Sequence, residues 1–282
     1  MTAPDYAVQV DGLRKVFRSR RRQGGRREET VAVAGLSFDL EQGRSLAIVG
    51  ESGSGKTTVA RMLVGLERPT SGRCVVAGRQ RRLDRAPSRG ERRQWGREMQ
   101  LVPQDPYGSL DPRQRGRACL VEVLKFHFGM GRAEVERRVT DLLDLVGLDE
   151  RTGRAFPIQM SGGQRQRLAI ARAMAARPRV LVLDEAVAAL DVSIQAQILN
   201  TLADVRESTG VSIVFISHDL AVVRQIADTT LVLQAGELVE RGDTEVLLSR
   251  PQHPYTQRLL ASVPRPGWKP RRALPGTDPD AG

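Results

Sequence analysis

Short apolar runs alternate with helical patterns along most of this chain. The runs with the length and composition of strands are Tyr6–Phe17, Val31–Leu40, Ser45–Val49, Arg73–Ala77, Met99–Val102, Arg179–Leu183, Val211–Ile216 and Thr229–Leu233. Stretches with helical character follow several of them, at Thr57–Leu66, Ile194–Val205 and Leu220–Ile226. Strands that alternate with helices predict a parallel sheet that is covered on both of its faces.

The middle of the chain has a different pattern. Apolar residues recur there on one face of an amphipathic helix, at Val135, Val139, Leu142, Leu143 and Val146. Together with a second candidate helix at Gly116–Phe128, they predict a helical subdomain at about residues 105–175, within a single domain that spans residues 1–264. The Gly/Arg-rich stretch Arg18–Thr30 is predicted to be a surface loop, and the Pro/Gly-rich tail at 265–282 is predicted to be poorly ordered.

The composition is that of a globular protein, with 40% apolar and 27% charged residues among 282 positions. No apolar run approaches the roughly 18 residues that a membrane-spanning helix needs. The first residues lack the basic and apolar segments of a secretory signal, so we expect any membrane association to depend on a partner. Cys74 and Cys119 have no metal-ligand spacing and are interpreted as reduced thiols, with a lone disulfide or a reactive thiol as the alternative.

Positive charge is concentrated in two clusters. The net charge is +11, with eight basic residues between Arg14 and Arg27 and eight arginines between Arg79 and Arg97. Such clusters can bind nucleic acid or anionic lipid. However, aromatic residues for base stacking make up only 4% of the chain. We interpret the clusters as solvated loops, for which anionic lipid or a membrane-protein surface is a better partner than a specific nucleic-acid site.

A phosphate-binding loop follows the strand Ser45–Val49. The sequence from Gly50 to Thr57 satisfies the pattern G-x-x-x-x-G-K-[ST], and a helical pattern follows it. Its glycines allow successive backbone N–H groups to turn inward around phosphate oxygens, and the helix directs its positive end at the same oxygens. A glycine-rich turn matched by chance is the alternative, and the flanking strand and helix argue against it. The residues predicted to contact the nucleotide are Gly50, Glu51, Ser52, Gly53, Ser54, Gly55, Lys56, Thr57 and Thr58.

A later strand ends in two carboxylates that suit the same chemistry. Asp184 and Glu185 directly follow the apolar run Val180–Leu183. In P-loop ATPases a carboxylate at such a strand end helps to hold Mg²⁺, together with the loop hydroxyl, here Thr57. Glu185 would then orient or deprotonate the attacking water. ATP and Mg²⁺ are therefore the predicted cofactors.

The segment Ser161–Arg167, Ser-Gly-Gly-Gln-Arg-Gln-Arg, resembles the signature motif of ABC-type ATPases. Other positions resemble further marks of that family: Gln104 its Q-loop, Asp191 its D-loop and His218 its switch histidine. The resemblance extends over roughly Val8 to Pro264. It implies an α/β fold with a P-loop NTPase core and parallel sheet, an N-terminal antiparallel β subdomain and an inserted α-helical subdomain.

The resemblance also implies roles for the matching residues. The start of the signature helix would contact the γ-phosphate held by a second subunit, through Ser161, Gly162, Gly163 and Gln164. Gln104 would sense Mg²⁺ and water, His218 would hydrogen-bond the γ-phosphate, and Asp191 would communicate across the dimer. The catalytic candidates are then Glu185, His218 and Gln104, and the Mg²⁺ ligands are Thr57, Gln104 and Asp184.

Phe17 and His218 have two interpretations each. Phe17 is the candidate for the aromatic residue that stacks on adenine in this family, and simple core packing is the alternative. Without the other motifs, His218 would be interpreted as an ordinary hydrogen-bonded histidine at a strand end. His127 and His253 keep that ordinary interpretation.

Three segments are similar to ATPase subunits of dipeptide, oligopeptide and nickel importers, namely Gln104–Arg113, Ala189–Ser193 and Pro251–Leu260. This similarity implies an ATPase subunit at the cytoplasmic face of the cell membrane. Its partners would be two transmembrane permease subunits, a second ATPase subunit and an extracytoplasmic solute-binding protein, with no specific nucleic acid. Peptides or related small solutes are the expected cargo.

Two segments depart from the family pattern, and other features bear on two alternative functions. Ala186–Ala189 stands where the family usually has Pro-Thr-Ser-Ala, and we expect altered loop stiffness rather than lost chemistry. The tail also departs from this subfamily, because it lacks the cysteines that are common there. The net charge would suit an ABC-type ATPase that acts on nucleic acid or ribosomes, but the stretch from Lys56 to Ser161 is too short for a long coiled-coil insertion. An exporter ATPase is disfavoured by the segment Pro251–Leu260.

Overall fold

A computed structural model describes residues 5–19, 28–82, 85–188 and 190–262. The strands are β1 (Tyr6–Ser19), β2 (Glu28–Glu41), β3 (Ser45–Val49), β4 (Ser71–Val76), β5 (Arg79–Gln80), β6 (Met99–Val102), β7 (Val180–Asp184), β8 (Ser212–Ser217), β9 (Thr229–Gln234) and β10 (Glu237–Asp243). The helices are α1 (Lys56–Val64), α2 (Arg89–Glu98), α3 (Pro106–Ser109), α4 (Gly116–His127), α5 (Arg132–Leu145), α6 (Glu150–Arg154), α7 (Gly162–Ala175), α8 (Val192–Thr209), α9 (Leu220–Ile226), α10 (Thr244–Ser249) and α11 (Pro254–Ala261). The predicted tail at 265–282 lies outside the described residues.

Two sheets form the frame of the domain. The smaller sheet is antiparallel and has the strand order β2-β1-β4-β5. The larger sheet has the order β10-β9-β3-β8-β7-β6, and its strands are parallel except for β10. Helices α3 to α7 lie between β6 and β7 in the chain. The predicted fold class, a parallel core with an antiparallel β subdomain and inserted helices, is confirmed.

The central strands are buried on both faces because alternate side chains enter two different cores. In β3, Leu46 and Ile48 join a core with the antiparallel sheet and α1. Ala47 and Val49, from the same strand, join a larger core with the helices on the opposite face. A strand covered in this way reads as a continuous apolar run, which is the pattern that predicted it.

The helices between β6 and β7 pack on that larger core. The apolar face predicted around Val135 and Val146 is buried, and most of it lies on α5. It packs with α4, which contributes Leu120 and Leu124, and with α7, which contributes Leu168. These helices occupy the range for which the sequence predicts a helical subdomain.

Several segments differ from the sequence prediction. Helix α2 forms within the second arginine cluster, which the sequence analysis interprets as a solvated loop, and Ser88 and Glu91 make a capping box at its start. The predicted loop Arg18–Thr30 is wrong at both ends, since β1 and β2 continue pairing beyond Phe17 and Thr30. Residues 20–27 of that loop lie outside the described residues. None of the described helices is both long and apolar enough to cross a bilayer.

The two cysteines are buried and unpaired. Burial raises the pKa of the Cys119 thiol to about 12, and it also raises the pKa of Cys74. A thiol with a raised pKa is a weak nucleophile at neutral pH. The structure therefore favours inert core residues over a disulfide or a reactive thiol.

The start of β3 is tied to its neighbours by Asp228, which directly precedes β9. One oxygen of its carboxylate accepts hydrogen bonds from the Ser45 backbone N–H at 2.7 Å, the Ser45 hydroxyl at 2.8 Å and the Arg206 guanidinium at 2.7 Å. Arg206 lies on α8. This single side chain therefore joins a central strand, the next strand and the helix that covers them.

We predict that Asp228→Ala lowers the free energy of unfolding by about 2–3 kcal/mol, because it removes the acceptor of the Ser45 backbone N–H and the carboxylate partner of the partly buried Arg206 guanidinium. Chemical denaturation would measure the change. Asp204→Ala removes an exposed carboxylate from α8, the helix that carries Arg206, and serves as the control. Equal stability of the two variants would contradict the structural role of Asp228.

Candidate nucleotide site

Four parallel strands bring the predicted site residues to one edge of the larger sheet. The phosphate loop follows β3, and β8, β7 and β6 lie beside that strand in this order. His218 follows β8, Asp184 ends β7 and Glu185 directly follows it, and Gln104 comes shortly after β6. Because the carboxyl ends of parallel strands meet at one edge, residues that are far apart in the chain become neighbours.

The phosphate loop is closed by its own lysine. The Lys56 ammonium is buried and donates hydrogen bonds to the backbone carbonyls of Gly50 and Glu51, both at 2.8 Å. Burial lowers the pKa of Lys56, and the nearby carboxylates of Glu185 and Asp184 partly offset this effect. The site thus holds a cation beside two acidic groups, as a phosphate and metal site requires.

Two of the loop glycines are required by close contacts with backbone. Gly55 has a φ of +100°, and a Cβ at this position would lie 2.3 Å from the Ala32 carbonyl oxygen on β2. A Cβ on Gly50 would lie 2.1 Å from the Leu233 carbonyl oxygen on β9. The loop is therefore wedged between strands of the two sheets, and only glycine fits at these positions.

The side-chain oxygens of Thr57 and Asp184 lie together at the start of α1. The Thr57 hydroxyl donates to the Asp184 carboxylate at 3.1 Å. Burial raises the pKa of Asp184, the hydrogen bond from Thr57 lowers it, and the neighbouring charge of Glu185 raises it further. Mg²⁺ prefers such hard oxygen ligands and takes its remaining ligands from phosphate and water. The side chains fit this ion, although no group of three acidic, His or Cys residues suited to a metal occurs in the described ranges.

Glu185 lies between the other two predicted catalytic residues. Its carboxylate accepts a hydrogen bond from the Gln104 amide at 3.1 Å, and its second oxygen is 3.4 Å from His218 Nδ1. Glu185 has a φ of +50°, an unfavourable conformation for this residue, while its N–H donates to the Ile216 carbonyl at 2.9 Å. The backbone thus aims this carboxylate out of the sheet edge.

The residues predicted to act across a dimer are arranged at the starts of two helices. Ser161 and Gln164 make a capping box at the start of α7, with hydrogen bonds of 3.2 and 2.9 Å. Asp191 caps α8 by accepting from the Ile194 N–H at 2.9 Å. A Cβ on Gly163 would lie 2.6 Å from Ile194 Cγ2, so the two helix starts are in close contact.

Phe17 lies near the end of β1 and is 42% exposed, which does not support core packing. It pairs with Thr30 on β2, two residues before the Ala32 carbonyl that contacts the phosphate loop. The Lys15 ammonium lies 4.7 Å from the centre of its ring. Contact between Phe17 and adenine remains a prediction.

One contact with the phosphate loop was missed by sequence reasoning. The backbone N–H of Glu51 donates to the hydroxyl of Tyr255 on α11 at 3.0 Å. Tyr255 lies in the segment Pro251–Leu260 that indicates the importer subfamily, and that similarity was the available signal. His253 has the ordinary role expected of it, since its ring accepts from the Tyr255 N–H and caps α11.

The second arginine cluster lies away from this site. Side chains of α2 and of the segment before β7 line a cleft of about 590 Å³, namely Arg93, Arg97, Arg177 and Arg179, together with Arg79 and His127. The segments before β6 and β7 are at the amino ends of these strands, opposite the phosphate loop. The cluster therefore contributes nothing to the candidate site.

Comparison with known proteins adds independent information. Residues 33–188 match the ABC transporter family, and residues 239–282 match the C-terminal region of oligopeptide/dipeptide transporters. The chain is 47% identical over 236 residues to the probable peptide ABC transporter ATP-binding protein y4tS of Sinorhizobium fredii, and the match covers 83% of this chain and 66% of that protein. It is 46% identical over 264 residues to the di/tripeptide transport ATP-binding protein DppF of Pseudomonas aeruginosa, with coverages of 94% and 79%.

Other matches differ in length or are known as structures. The chain is 48% identical over 239 residues to the oligopeptide transport ATP-binding protein OppD of Mycobacterium tuberculosis, which covers 84% of this chain but only 38% of that protein. This chain thus spans less than two thirds of the length of y4tS and of OppD. Among solved structures, the dimeric post-hydrolysis state of the ATP-binding cassette MJ0796 bound to ADP and Pi has a TM-score of 0.72 and 26% identity, over 84% of this chain and 98% of that one.

We predict that Gly55→Ala destabilises the chain by at least about 2 kcal/mol more than Gly53→Ala, because the new methyl group meets the Ala32 carbonyl. Gly53 is a matched control, since its φ of +82° is also unfavourable for alanine but its Cβ would meet no atom within 4 Å. Thermal and chemical unfolding of both variants would measure the difference. Similar losses would show that the strand does not confine the loop at Gly55.

Proposed function

Because the chain belongs to the ABC transporter family, we propose that it is the ATP-hydrolysing subunit of an importer for dipeptides or oligopeptides. The observation that supports ATP hydrolysis is the position of the Glu185 carboxylate, which lies between Gln104 and His218 at the sheet edge that holds the phosphate loop. The peptide substrate is supported by the match of residues 239–282 and by the names of the relatives.

The phosphate loop would bind the triphosphate. Its backbone N–H groups and the start of α1 supply positive potential to the phosphate oxygens, and Lys56 adds a full charge. Mg²⁺, held by Thr57 and Asp184 with Gln104 nearby, would neutralise phosphate charge when bound. Phe17 would stack on adenine from the adjoining sheet.

Glu185 would act on the attacking water. It accepts a proton from the water as the oxygen bonds to the γ-phosphorus, and the bond from that phosphorus to the β-phosphate oxygen breaks, which leaves ADP and phosphate. His218 and Gln104 contact the two oxygens of the Glu185 carboxylate, and they would keep it aligned with the water.

A second ATPase subunit would complete each site. Ser161, Gly162, Gly163 and Gln164 lie at the amino end of α7, where the positive end of the helix dipole favours a negatively charged ligand. In a head-to-tail dimer this helix start would meet the γ-phosphate on the other subunit, with Asp191 beside it. The solved structure of the ATP-binding cassette MJ0796 bound to ADP and Pi is dimeric.

The dimer would work at the cytoplasmic face of the cell membrane. Two transmembrane permease subunits would receive its closing and reopening through the segment that follows Gln104, and an extracytoplasmic solute-binding protein would deliver the peptide. The partner ATPase is a second copy or a related chain. Recognition of the peptide would lie in the permeases and the binding protein.

We predict that Glu185→Gln reduces ATP hydrolysis at least about 100-fold, because the amide cannot accept the proton of the attacking water. ATP should still bind and hold the dimer closed. Phosphate release and light scattering with MgATP would measure both effects. Glu207→Gln, an exposed position on α8, is the control, and a Glu185→Gln variant that hydrolyses ATP at the wild-type rate would exclude the proposed base.

The same variant tests the transport function. Tagged Glu185→Gln, expressed in the source organism and solubilised with MgATP, should co-purify with two polytopic membrane proteins and a related ATPase, as identified by mass spectrometry. Co-purification of ribosomal proteins or nucleic acid, without membrane proteins, would overturn the proposed transport function but not the proposed ATP hydrolysis. Salt dependence would confirm such binding, because phosphate contacts weaken steeply as salt rises.

We also predict that Phe17→Ala weakens ATP binding by about five- to 100-fold, the usual range for losing a base–aromatic stack. Phe17→Tyr should retain most of the affinity. Titration with a fluorescent ATP analogue would measure the change, with Phe126→Ala on α4 as the control for an exposed ring. Unchanged affinity in Phe17→Ala would place adenine elsewhere.

A further inference from the structure

A residue near the end of the described chain supports the phosphate loop. Tyr255 is only 3% exposed, and its hydroxyl accepts the Glu51 backbone N–H at 3.0 Å. Glu51 is the second residue of the loop, directly after Gly50. Its N–H points toward α11, and the loop is therefore held from outside at its first turn.

Tyr255 is itself positioned by a small network. The His253 ring accepts the Tyr255 N–H at 3.2 Å and caps α11, whose first residue is Pro254. The Glu240 carboxylate on β10 accepts the N–H of Gln252 at 2.8 Å and that of His253 at 3.1 Å. One carboxylate thus fixes the turn that directs Tyr255 at the loop.

The Glu240 carboxylate stays charged at neutral pH. Burial raises its pKa, whereas the nearby Thr256 hydroxyl and the backbone N–H groups of Gln252 and His253 lower it, and the net pKa lies below the ordinary value. Because the pKa of Glu240 is lowered, the stabilisation from these hydrogen bonds is fully present above the ordinary pKa of a glutamate. It is lost as the pH falls through the lowered pKa.

The neighbouring strand connection holds the loop at a second point. The Gly236 N–H, between β9 and β10, donates to the Ser54 carbonyl at 3.1 Å, and the Gly236 carbonyl accepts the Ala34 N–H at 2.8 Å. The loop is thus held near both ends, by Tyr255 at Glu51 and by Gly236 at Ser54.

We propose that Tyr255 is a positioning residue for nucleotide binding, which holds the phosphate loop in its binding conformation and makes nucleotide affinity depend on the segment from Glu240 to Tyr255. This inference rests on the proposed ATP site. A loop that is already ordered loses less conformational entropy when the phosphates bind, so affinity is higher. The segment lies within residues 239–282, the region matched to oligopeptide/dipeptide transporters. A change in that region would then alter how tightly the subunit holds ATP.

The first test is Tyr255→Phe in the full chain, which removes only the hydroxyl. We expect the Kd for MgADP and the KM for ATP to rise about three- to tenfold, the effect of losing one hydrogen bond, while kcat and the melting temperature change little. Tyr6→Phe is the matched control on β1. A merely structural role for Tyr255 would instead lower the melting temperature and kcat with KM unchanged, and would overturn the proposal.

A double-mutant cycle tests the connection to β10. Glu240→Gln should raise the Kd for MgADP in the presence of Tyr255 but not in the Tyr255→Phe background, and Glu237→Gln on the same strand is the control. Additive effects would overturn the link through Tyr255. A wild-type chain that binds no nucleotide would overturn the proposed function itself, whereas normal binding by both wild type and Tyr255→Phe would overturn only the positioning role.

Discussion

The parallel register of β3, β8, β7 and β6 is the constraint on which the rest of the site depends. Val49 pairs with Ser217, Ile216 with Asp184, and Leu183 with Val102, so the four strands end almost level. A slip of one residue would turn every side chain of a strand to the opposite core. Because every residue of β3, β7 and β8 is buried, the cores resist such a slip. The alignment of the proposed catalytic residues is therefore a consequence of hydrophobic packing at some distance from them.

Much of this arrangement could be predicted from the sequence. Continuous apolar runs indicated the buried strands, and the motifs around Lys56 and Asp184 directly follow or end two of them. Glu185 was predicted from the two carboxylates after the strand Val180–Leu183, whereas Gln104 and His218 were predicted from family resemblance. The structure brings these three side chains together. Such predictions succeed because each motif is short, and its conformation depends mainly on the strand and the turn beside it.

Other features depended on contacts between distant segments. The pattern of apolar residues did not indicate that β1 and β2 pair beyond Phe17. Backbone hydrogen bonds between the two strands, and not alternating apolar side chains, extend the pair there. Helix α2 contains no buried residue, so it has no apolar stripe to detect, and its capping box was the only local signal. The unfavourable φ of Glu185 and the contact of Tyr255 with Glu51 arise from tertiary structure, and neither has a residue pattern of its own.

The close contact between the starts of α7 and α8 has a consequence for how such chains diverge. Gly163 leaves no space for a Cβ against Ile194, and a Cβ on Gly162 would come within 3.3 Å of Leu190. A larger residue at 163 can be accommodated only if the side chain at 194 becomes smaller, so the two positions are expected to covary among homologues. A substitution at 163 alone would force the starts of α7 and α8 apart, so each of the two positions limits which residues the other can accept.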